Sequence, residues 1–108
     1  MRKVYDKLVR DRIPERLETA GVAYGSRTAG PGEMRGLLLA KLDEEVAEIK
    51  AAAPGAEAAG EAADIAEVVR AIAALDGTGP DALEALRSAK ASERGAFEDG
   101  VVLLWADD

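Results

Sequence analysis

Carboxylates are the side chains through which this chain could do chemistry, and four of them are spaced to act together. Glu45 and Glu48 lie three residues apart, and so do Glu61 and Asp64 after an intervening Pro54-Gly55 break. Residues at i and i+3 share one face of a helix. With Glu45 set at zero and roughly 100° per residue, Leu38, Ile49 and Leu42 fall at roughly 20°, 40° and 60°, and Glu48 at about −60°. Glu45 therefore belongs to the apolar stripe and Glu48 to its edge. With Glu61 at zero, Ile72, Ile65, Val68 and Leu75 fall within about 40° of it, and Asp64 at about −60°. Both acids of the second pair belong to the buried side, while Glu44 and Glu67 point away into solvent.

A carboxylate turned toward a core needs a partner, because an unpaired buried charge is costly and protonates instead. The facing stripes are mostly Ala, Ile, Leu and Val. A hard divalent cation, Mg²⁺ or Mn²⁺, is then the expected partner, since both take oxygen ligands. A single acid pair of this kind is commonly a solvated rim. Two matching pairs in succession argue for a metal site.

The rest of the composition narrows the chemistry. There is no cysteine and no histidine, so a thiolate zinc site, a cysteine nucleophile and the commonest general base are all excluded. Any hydrolysis must run on carboxylates, Lys, Arg and metal. The formal charge is −7, which speaks against a nucleic-acid partner. No apolar run approaches a membrane span and no secretory segment is evident, so a cytoplasmic protein without a membrane partner is expected.

The elements that must position the acids are helical. One domain is expected from 108 residues. A short helix is expected over Pro14 to Leu17, with Gly21 just past its end. Two long helices are expected over Glu33 to Ala52 and Ala56 to Asp76, joined so tightly that they must be antiparallel neighbours. Thr78-Gly79-Pro80-Asp81 opens another helix, running to about Glu93. Val22–Tyr24 and the β-branched run Val101–Trp105 are expected to be extended, the latter a strand or a clamp. The apolar set is dominated by alanine, so the core is thin and oligomerisation is expected to complete it.

The cations fall at the two ends. Arg2, Lys3, Lys7, Arg10 and Arg12 make a basic opening on an acidic chain, suited to a solvated arm or to a phosphate-bearing ligand. Lys90 and Arg94 share a face near the end of the last helix, where the helix dipole alone would favour them. Trp105 reads as a packing or interface anchor.

The ExxE motif, twelve residues and ExxD motif, preceded by LDEE, resembles the metal motif of the MazG-like, all-α nucleotide pyrophosphohydrolases. The stretch YDKLVRDRIPE resembles the opening of a small branch of that superfamily, whose members are often called phosphoribosyl-ATP pyrophosphohydrolase-like. KASERGAFEDGVVL, from Lys90 to Leu103, is similar to that branch's ending. The resemblance spans nearly the whole chain in three pieces. It implies an antiparallel helix bundle assembled as a homodimer or homotetramer. It implies Mg²⁺-dependent cleavage of a nucleoside triphosphate to the monophosphate and pyrophosphate. It puts the metal on Glu45, Glu48, Glu61 and Asp64, and the phosphates on Lys90 and Arg94 with Lys7, Arg10 and Arg12. With histidine absent, Glu45 or Glu48 is the expected base. Two other readings stand beside this one: phosphoribosyl-ATP hydrolysis in histidine synthesis, and a non-catalytic acidic helical interaction module.

Overall fold

Two glycines end helices in the same way. In the computed structural model, which covers residues 1–108, Gly21 and Gly77 both adopt positive φ just past a helix end. Val22 N–H returns to the Leu17 carbonyl and Gly21 N–H to that of Glu18. Thr78 and Gly77 do the same to Ala73 and Ala74. These paired returning bonds are the Schellman arrangement, which satisfies carbonyls the helix leaves open. The first closes α1 (Ile13–Thr19), with Pro14 in its first turn. The second closes α3 (Ala56–Leu75).

Between them lies α2 (Met34–Ala51), and α4 (Pro80–Arg94) follows α3. The fold is all-α, as expected. The expected helices are all present, with ends shifted by a residue or two, and α1 is longer at both ends. The expected extended pieces form no strand: neither Val22–Tyr24 nor Val101–Trp105 joins a ladder with another segment. Residues 101–105 are exposed throughout.

Helices α2 and α3 make an antiparallel hairpin. Residues 52–55 join them at one end. At the other, the Arg35 guanidinium holds both oxygens of Asp76 at 3.2 Å. The only buried side chains of the protein, Leu38, Glu45 and Val68, all sit in this hairpin. Helix α4 packs against α3 alone and has no buried residue.

The core is as thin as the alanine content foretold. The Cα radius of gyration is 18.0 Å, against about 13 Å for a compact chain of this length. Leu86, Phe97 and every residue of Val101–Trp105 stand in solvent.

The segment before α1 lies across the hairpin. Residues 1–9 form no backbone hydrogen bond. Side chains seat them instead: Lys7 bonds Glu44 at 2.6 Å, and Arg10 bonds Asp64 at 2.6 Å. Asp6, Lys7 and Leu8 close a small cavity against Leu37, Ala40, Lys41 and Glu44 of α2.

Candidate metal centre

The hairpin delivers the acids to one place. Glu45, Glu61 and Asp64 each offer a carboxylate oxygen, and these oxygens lie within 4.8 Å of one another. Glu45 comes from the middle of α2, and the other two come from the early turns of α3. Their juxtaposition follows from the antiparallel pairing rather than from sequence distance.

Glu45 is 5 % exposed, on the apolar stripe where helical phase placed it. Its Oε1 meets Lys41 Nζ at 3.3 Å. Its Oε2 has no partner, nor does the enclosed Oε2 of Glu61. Unpartnered oxygens on buried acids are costly, and bound cations are one of the few things that satisfy them. The spacing suits such an ion. Two oxygens on one Mg²⁺ lie at most about 4.2 Å apart, twice the metal–oxygen distance, so the triad needs only a small rotamer adjustment. An all-carboxylate donor set selects Mg²⁺ or Mn²⁺ over softer metals.

Glu48 is exposed and stands outside the triad, but it is not remote. Burial pushes the Glu61 carboxyl above its ordinary range, and Glu48, within hydrogen-bonding reach, pushes it further. The charges of Asp64 and Glu45 act in the same direction. Neighbouring negative charges favour the protonated form of Glu61, which a nearby cation would oppose.

Two features depart from the expectation. The acids do find cations within the chain: Lys41 reaches Glu45 from one turn earlier on α2, and Arg10 reaches Asp64. The Lys41–Glu45 spacing of four residues was available in the sequence, whereas nothing local announced Arg10. Glu44 does not point free into solvent. It is partly buried and takes Lys7 at 2.6 Å and Lys41 at 3.4 Å. That bond holds the Lys7 ammonium above its usual range, and the nearby charges of Glu48 and Glu45 add to the effect. Glu44 is drawn down by the same contact.

Of the expected phosphate cations, Lys7 and Arg10 therefore sit at the acids, each already paired. Arg12 makes no ion pair and lies at the entry to α1. Lys90 and Arg94 are also without ion pairs. They line a shallow groove on α4 with Arg87, Ala91 and Phe97, and none of the four acids borders it. One chain by itself does not bring the α4 cations to the acidic cluster.

Comparison with other proteins adds little. No protein-family model matches the chain, and no solved structure matches it. A Mycolicibacterium smegmatis protein, described only as uncharacterised, is 52 % identical over 46 residues. That alignment spans 43 % of this chain and 47 % of the relative. The chain is thus similar to about half the length of that protein.

Proposed function

We propose that this chain is a Mg²⁺-dependent nucleoside triphosphate pyrophosphohydrolase. The observation that carries the reading is the orphaned oxygen of buried Glu45 at the head of a three-acid cluster. Glu45, Glu61 and Asp64 would hold the metal, with Glu48 beside them. Mn²⁺ would substitute. The bound ion supplies charge neutralisation on a triphosphate and a more acidic water.

The chain's own residues then have distinct tasks. Glu48 is the exposed carboxylate beside the triad, free to take the proton of an attacking water. The water oxygen bonds to the α-phosphorus, the bond from that phosphorus to the α,β-bridging oxygen breaks, and pyrophosphate leaves with the electron pair. Lys7 and Arg10, already at the cluster, are placed to meet triphosphate oxygens once their acid partners let go. Lys90 and Arg94 lie away from the acids of their own chain, so a homodimer or homotetramer would be needed to bring a second copy's α4 to this site. The extended shape and the uncovered apolar run at residues 101–105 support such an assembly.

Pyrophosphate release decides the reading. A panel of canonical, deoxy and damaged nucleoside triphosphates plus phosphoribosyl-ATP is assayed with Mg²⁺, Mn²⁺ or EDTA. Metal-dependent release from one or a few of them is expected. Turnover of phosphoribosyl-ATP alone would place the protein in histidine synthesis. A folded protein that cleaves nothing and binds no Mg²⁺ would be an acidic interaction module, a reading favoured by the exposed Val101–Trp105 run.

A further inference from the structure

Two cations reach the acidic triad, and they differ in how they are held. Lys41 stands one turn from Glu45 on the same helix and also meets Glu44, so its ammonium stays tethered beside the triad. Arg10 comes from a segment with no regular structure, and crosses to Asp64 on α3 through one 2.6 Å contact. Arg10 and Asp64 side chains are 56 % and 40 % exposed. An ion pair this open to solvent is weak and readily exchanged. The segment has a second anchor that does not involve a triad acid: Lys7 on Glu44, with Leu8 seated near Leu37 and Ala40. The Arg10 guanidinium can therefore leave Asp64 without the segment leaving the hairpin.

We propose that Arg10 is the exchangeable counter-ion of the acidic triad: it neutralises Asp64 until a divalent cation takes that carboxylate, and the displaced guanidinium then meets the triphosphate. This rests on the metal-centre reading above. It makes metal loading and nucleotide binding depend on one another through a single side chain. A planar guanidinium is suited to both partners, because it presents the same pair of donors to a carboxylate or to a phosphate. The exchange needs no movement of a helix and breaks no backbone hydrogen bond.

The signature is a change of opposite sign in two affinities. Titration calorimetry would follow MgCl₂ alone, then preformed Mg²⁺–inorganic triphosphate, on the full chain, Arg10→Gln and Arg10→Lys. Loss of an exposed competitor should tighten Mg²⁺ about two- to five-fold in Arg10→Gln, the range set by exposed ion pairs. The same variant should bind Mg²⁺–triphosphate about ten-fold more weakly, having lost a charge-assisted contact. Arg10→Lys should fall between for triphosphate, since it keeps charge and loses the fork. In the unaltered chain, the guanidinium Nε–H resonance missing from Arg10→Lys should shift when Mg²⁺ is added without nucleotide. Circular dichroism checks that helix content is unchanged. If the unaltered chain binds Mg²⁺ but Arg10→Gln binds it equally or less well, the exchange is wrong while the metal centre stands. If the unaltered chain binds no Mg²⁺ at millimolar concentration, both fall, and that is seen before any variant is made.

Discussion

The α2–α3 hairpin and the α4 region are both helical and neighbours in one chain, yet they ended differently. The hairpin contains every buried side chain, a cross-helix ion pair at its open end and a converged set of acids. Helix α4 buries nothing, and its two free cations face a groove that touches none of those acids. The difference lies in the connections and stripes. Residues 52–55 force α2 against α3, and Leu38, Val46, Ile49, Ile65, Val68 and Ile72 give both helices a stripe to bury. Leu83 and Leu86 give α4 much less, and Leu86 is left in solvent. The hairpin can therefore place a site by itself, whereas α4 presents groups that lack a counterpart in the same chain.

The largest test of this contrast is chemical. Asp64→Asn and Glu61→Gln should each lower metal-dependent pyrophosphate release by about 100-fold or more, since even groups that merely support metal ligands are worth 10- to 100-fold. Helix content by circular dichroism should be retained. Full activity in Asp64→Asn would remove the acids from the mechanism.

Next comes the hairpin's packing. Leu38 is one of two buried apolar residues, and Leu38→Ala should cost about 2–5 kcal/mol in urea denaturation. That is a large share of the stability of any small domain. If the midpoint does not move, the hairpin is not where stability resides.

A smaller effect sharpens the other side of the comparison. Leu103→Asp should lower the mass seen by light scattering at micromolar concentration without lowering helix content. An unchanged mass would mean that the apolar run does not join copies of this chain.

The smallest effect concerns the approach to α2. Glu33 accepts both Arg27 Nη atoms at 2.7 Å and the Gly30 amide at 2.8 Å, which lowers its pKa from 4.5 to about 2. A depressed folded-state pKa contributes stability above the unfolded value and loses it below. This contribution should be complete above pH 4.5 and fade as pH falls toward 2. Glu33→Gln should melt lower than the unaltered chain near neutral pH, and the gap should close on acidification. Both groups are exposed, so the shift in melting temperature will be slight.

Much of this was legible in the residues. Pro14, Gly21, Gly77 and Pro80 punctuate the helices by local rules that act within four or five residues, and the helices followed them. Helical phase placed Glu45 with Leu38 and Ile49, and Glu45 is buried. Phase was less reliable at the rim: Asp64 and Glu48 were grouped near the stripe, but Asp64 is partly exposed and Glu48 exposed. A stripe edge has no fixed width until a neighbouring helix defines it.

What the sequence determined by itself is the helix set, the antiparallel hairpin and the presence of two acid pairs able to face each other. These follow from short-range backbone preferences and from one tight connection. Tertiary structure alone decided which oxygens converge, that Arg10 answers Asp64, that Lys7 seats on Glu44, and that α4 stands apart. The Lys7 and Arg10 pairs join residues 37 and 54 positions apart, and the acids converge from two different helices, so their approach is set by how the chain packs and by nothing in its local spacing.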